Sequence, residues 1–310
     1  MVPTQMRTPF EKHPLAREGA IAVAAFGAVV LWIHSLWPVA SALQSVVRPG
    51  ALAETGLGSL AATALTNSAV VVAGTVAFTA SYARVRDRPI PLALPDRADL
   101  PLVAAVAVAP VAAVGVVELL AGATGTSLAT LTGSAYAPGV EPVGPATITV
   151  LVLALGLPVY VLVTHALVQR TLRSAASPAV AVGLTTLLIG TVGPTDLVSS
   201  GRSLQVAAVT LSLVAAIAVP VYAAEAFDRT WLSAFCALPL AVFAAGVVLQ
   251  WATGFEGVAA AALGLAEVGL VGASAYAYER TDSLLAPALA YAAFVVARDG
   301  LSYLSATGTV

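Results

Sequence analysis

Apolar residues in this chain run in blocks of about twenty, and the polar residues gather in short Arg- and acid-containing stretches between them. A bilayer core about 30 Å thick needs roughly twenty apolar residues per helical crossing, which is the length of these blocks. Nine of them are read as spans: Gly19–Leu43, Ser59–Ala83, Pro101–Ala121, Ala146–Val168, Pro178–Gly193, Leu204–Ala226, Trp231–Trp251, Gly257–Tyr278 and Ser283–Leu304. The fifth is short and the ninth carries Arg298 and Asp299, so a count of eight stays open. The predicted fold is an all-α polytopic transmembrane bundle.

Composition agrees with this pattern. Of 310 residues 59% are hydrophobic and 10% charged, and the mean hydropathy is +0.93. A soluble globule of this size cannot bury so much Ala, Val and Leu. With the N-terminus inside, eleven of the 14 basic residues fall on cytoplasmic segments, and only Arg48, Arg202 and Arg298 fall outside. That asymmetry is the positive-inside bias and sets the predicted orientation. Residues 1–18 form a cytoplasmic tail, 19–145 three spans with loops, and 146–304 a second membrane unit. The Ala40-Ser41-Ala42 run resembles a signal-peptidase site, but the block before it is longer than a signal core and is read as a retained span. The Arg84–Leu100 loop is basic and Pro-broken, a stop-transfer and headgroup anchor. Gly122–Pro145 reads as an outer loop with one interfacial turn at Ser127–Leu131. The single lysine, Lys12, against thirteen arginines is a skew typical of high-GC prokaryotic genomes.

Three segments carry a resemblance. Pro158-Val-Tyr-Val-Leu-Val-Thr-His-Ala-Leu-Val-Gln-Arg170 is similar to a P-x-E-E-x-x-x-R-G-x-x-Q frame, with Pro158 and Gln169 in register. Ser177–Gly193 is similar to a helix carrying F-x-x-x-H. Tyr278-Glu-Arg-Thr-Asp-Ser-Leu, running on to Val295, resembles Y-x-R-T-G-S-L-x-x-x-I-x-x-H-x-x-x-N and is the most specific of the three. Together they resemble the CPBP family of CAAX proteases and bacteriocin-processing enzymes, which are glutamate-type intramembrane endopeptidases. The resemblance covers about Leu151–Val295 and includes an apparent two-span insertion around residues 198–254.

The chemical positions of that frame are all replaced. Tyr160 and Val161 stand for its two glutamates, His165 for its arginine, Gly193 and Tyr291 for its histidines and Val295 for its Asn. Peptide hydrolysis needs a base to activate water and donors to hold the oxyanion. Valine supplies neither, and a phenol with a reference pKa near 10 is no base at neutral pH. The resemblance therefore implies a pseudoprotease with no catalytic residue, binding membrane segments or lipidated peptides within the bilayer. Tyr160 lies ten residues from Arg170 and Tyr291 eleven from Arg280, so both sit about 15 Å in from the cytoplasmic face. At one level, the two hydroxyls can share a hydrogen bond or each pack in a helix interface.

Tyr160, His165 and Tyr291 form the candidate remnant pocket, with His165 also readable as an interfacial histidine. Glu267, near the middle of the eighth block, is the candidate intramembrane carboxylate; a protonated acid bonded to a neighbouring helix is its plainer reading. It supports two alternatives: a permease that uses Glu267 and Pro-broken helices, or an active protease with a relocated carboxylate. Glu118 is read as snorkelling, and His34 and Asn67 as interhelix partners. Three dispersed histidines and one cysteine, Cys236, give no metal site, and no cofactor or nucleic-acid motif is present. The predicted location is the cell membrane, with the lipid bilayer as partner.

Overall fold

In a bilayer the backbone must satisfy its own polar groups, and among the described residues helices do so. A computed structural model describes residues 14–46, 59–134, 136, 140–190, 249 and 255–308. The described residues form α1 (Pro14–Val46), α2 (Ser59–Val85), α3 (Leu100–Ala123), the single turn α4 (Leu128–Leu131), α5 (Val143–Arg173), α6 (Pro178–Gly190), α7 (Val258–Thr281) and α8 (Leu285–Thr307). Five stretches are long and apolar enough to cross a membrane: Arg17–Gln44, Leu65–Val85, Arg97–Ala123, Val143–Arg173 and Val258–Thr281. The chain is a polytopic helical membrane protein. Described α6 is shorter, at 13 residues. The helix α8 carries Arg298 and Asp299 and lies outside that set of five. The blocks Leu204–Ala226 and Trp231–Trp251, the insertion around 198–254, Gly193 and Cys236 lie outside the described residues.

Helix α3 packs on α7 and α8, α6 packs on α7, and α5 runs between the α1–α2 pair and α8. Small residues allow close approach where helices meet. At Gly74, Trp32 Nε1 donates to the glycine carbonyl at 2.9 Å, and a methyl there would collide with Leu36. Gln44 Nε2 donates to Asn67 Oδ1 at 2.6 Å, so Asn67 is an interhelix partner, as the sequence suggests.

The connecting segments are tied down by polar contacts. Ser127 caps α4, its Oγ accepting from Thr130 N at 3.2 Å, which is the turn expected in the Gly122–Pro145 segment. Glu118 does more than snorkel: its carboxylate accepts from Leu128 N at 3.3 Å. In the basic loop, Arg86 and Arg88 both pair with Glu18, which is 8% exposed, so these two cations face a protein carboxylate as well as any headgroups. The α7–α8 turn holds the same loop, since Ser283 Oγ donates to Ala93 O at 2.7 Å.

Candidate functional site

Helix α5 changes character along its length. From Val143 to Val161 it is an ordinary α-helix containing Pro158, whose missing N–H leaves one internal bond unmade. From Leu162 to Gln169 it widens into a π-helix, then closes as α-helix over Arg170–Arg173. Wide turns of this kind are rare and concentrate at functional sites. The π segment is the hub of the bundle, in contact with α1, α2, α6 and α7. Seven of its eight residues, Val163 through Gln169, are buried.

The segment delivers His165 into a cluster of rings. Tyr160 stacks on Tyr291 of α8 with centroids 4.6 Å apart and planes 18° from parallel. His165 meets Tyr160 edge-on at 5.5 Å and lies 5.5 Å from the ring of Tyr278 on α7. Tyr160, Tyr291, His165 and Tyr278 are each no more than 1% exposed. His165 is fully buried, because its face of α5 turns toward the bundle centre. Of the two arrangements open to the tyrosines, packing in a helix interface is the one adopted, and the Tyr160 hydroxyl finds no hydrogen-bond partner among the described residues. Gly156 makes the stack fit: a Cβ there would lie 2.6 Å from Tyr291 Oη.

A hydrogen-bonded line leads from the cluster to the Arg-bearing end of the bundle. His165 Nδ1 lies 2.8 Å from Gln169 Oε1. Gln169 Nε2 donates to Ala275 O at 2.7 Å and reaches Glu279 Oε2 at 3.5 Å. Arg173 then bridges Glu279 at 3.1 Å and Asp282 at 2.7 Å. Since the Gln169 amide nitrogen donates, its oxygen accepts, and Nδ1 must carry the imidazole proton. The neutral ring thus presents Nε2 as a bare acceptor. Asp282 closes α7 in the left-handed region at φ 46°, where the resembled frame has Gly.

Around the rings, polar atoms stand without partners among the described residues: Tyr160 Oη, Thr164 Oγ1, His165 Nε2, Ser274 Oγ and Tyr278 Oη. Ser274 approaches the Tyr160 hydroxyl, and Arg170 the Tyr278 hydroxyl, without closing a bond of good geometry. A buried orphan polar group costs about 1–3 kcal/mol, so five together would cost about as much as a whole domain's net stability.

Beside this core lies an apolar cleft of about 360 Å³, walled by Leu92 and Leu94 of the basic loop, Pro158 and Val161 of α5, and Leu285 and Ala288 of α8. Its lining residues are all apolar. The remaining candidate, Glu267, sits half-buried on α7. Among the described residues no group of three His, Cys, Asp or Glu side chains can hold a metal ion. Sequence reasoning gave Gln169 and Tyr278 only as motif matches and missed Gly156 and Ser274; a mid-helix Pro followed by buried-type polar residues was the available signal for the last turns of α5.

Comparison with protein families, with curated proteins and with solved structures finds no match.

Proposed function

We propose that the chain is a non-hydrolytic counterpart of the CPBP endopeptidases that spans the membrane nine times, with its N-terminus in the cytoplasm, and binds apolar membrane peptides or lipidated peptides. The observation that carries this reading is the Tyr160–Tyr291 stack at 4.6 Å. The resemblance puts a glutamate at the first of these positions and a histidine at the second, and those two positions touch. The other glutamate position, Val161, lines the apolar cleft, so a bound segment there meets no base. Tyr160 and His165 are closed off from bulk solvent and do not line the cleft, so neither reaches a segment bound there.

Reconstituted protein tests this with a fluorescent prenylated peptide and a transmembrane peptide. Saturable binding is expected, weakened at least tenfold by Ala288→Trp, which fills the cleft, and neither peptide is cut. Cleavage that disappears in Glu267→Gln or His165→Ala overturns the proposal.

One observation favours a second reading, a proton-coupled permease. Polar side chains line α5 and its neighbours from Arg173, Glu279 and Asp282 at one end, through Gln169 and His165, to Thr149, whose hydroxyl donates to Asp299 at 3.1 Å. Glu267 lies half-buried on α7, which packs against α8. Proton flux into liposomes that Glu267→Ala abolishes would select this reading over the first.

A further inference from the structure

We infer that the π turn of α5 encloses a buried hydrated site, holding on the order of two water molecules between His165, Tyr160, Thr164, Ser274 and Tyr278. Five polar atoms of these residues have no partner among the described residues, and all five side chains are at most 1% exposed. A buried water commonly makes about three hydrogen bonds, so two waters match the unmet capacity of five atoms.

The chemistry of the five atoms selects the ligand. His165 Nε2 is an acceptor only, because Nδ1 is committed to Gln169 Oε1 and Gln169 in turn to Ala275 O. The other four are hydroxyls that rotate to donate or accept. A ligand joining them must donate to one nitrogen while accepting from, or donating to, several oxygens. Water meets that demand with no net charge. A cation would face no carboxylate among these five groups, and an anion would face the lone pair of Nε2. The site draws on α5 and α7, two elements already in register through the Gln169–Ala275 bond. It differs from the apolar cleft, which shares none of these five residues. The inference holds whether the chain binds peptides or moves a solute.

X-ray hydroxyl-radical footprinting of the full chain in nanodiscs tests it, because radicals form from water held beside a side chain. Phe26 is the internal control: it is 0% exposed, like Tyr278, and packs among apolar residues. Tyr160 and Tyr278 should be oxidised at least fivefold faster than Phe26. In Ser274→Ala or His165→Leu, Tyr160 oxidation should fall at least threefold while the exposed Tyr276 keeps its rate. Tyr160 and Tyr278 labelling as slowly as Phe26 in the wild type overturns the site, and means that Tyr160 and Ser274 close on each other directly. Unchanged Tyr160 labelling in both variants also overturns it, since the water would then lie elsewhere.

Discussion

The two halves of α5 share one helix and one kind of composition, yet they bury opposite amounts of side chain. In the Val143–Val161 half, Val143 is 70% exposed, Ile148 60% and Val150 63%, a surface fit for lipid. In the π half, His165 and Gln169 are fully enclosed. Exposed valine and isoleucine in one half and enclosed His165 and Gln169 in the other reverse what a soluble helix of this kind shows. The contrast teaches that lipid removes the penalty on exposed valine and leucine, so what organises this bundle is the partnering of its few polar groups and the fit of its small residues. The Arg173 end is ion-paired, whereas the ring cluster a turn or two deeper has hydroxyls without partners among the described residues.

The comparison is broken most strongly at Gly156. Gly156→Val drives atoms into Tyr291, whose ring cannot retreat because Tyr160 lies against it, and overpacking of this kind costs about 1–3 kcal/mol. Ala154→Val, on the exposed face of the same half, should change stability by less than about 0.5 kcal/mol. Thermal unfolding in detergent compares the two. Similar losses would mean that the stack does not organise the helix.

A smaller loss sharpens the role of the π half. Gln169→Leu strips the partner from His165 Nδ1 and from Ala275 O, and should cost about 1–3 kcal/mol, near the lower end where water can repair the gap. Thr149→Val in the other half removes one bond to Asp299 and should cost about 0.5–1.5 kcal/mol. Denaturant titration in mixed micelles reads both; a cost for Thr149→Val above that for Gln169→Leu contradicts the contrast.

The smallest effect is expected at the solvated end. Arg173 is 31% exposed in its side chain, so Arg173→Gln should cost under about 1 kcal/mol despite two ion-pair partners. That cost should shrink further between low and high salt, as screening predicts. A large, salt-independent loss would place Arg173 inside the core network.

The spans are legible because a block of twenty apolar residues has few alternatives, and the α4 turn is legible from Ser127 ahead of a short apolar run. Asn67 is legible as a polar residue needing a partner. The face each helix turns inward is not. Around the α5 circumference Ala, Val and Leu alternate without a polar stripe, so depth can be counted from Arg170 but direction cannot. The π turn shifts every later side chain of α5 relative to a regular helix, and only Pro158 hints at it. Gly156 reads as one small residue among many until Tyr291 is seen against it.

The central claim, that Tyr160 and Tyr291 meet face to face inside the bundle, is tested most directly by cross-linking. In a Cys236→Ser background, Tyr160→Cys with Tyr291→Cys should be joined by a short bifunctional thiol reagent in membranes, while Ile148→Cys with Tyr291→Cys should not. Equal joining of both pairs, or none of the first with its thiols shown reactive one at a time, would contradict the account.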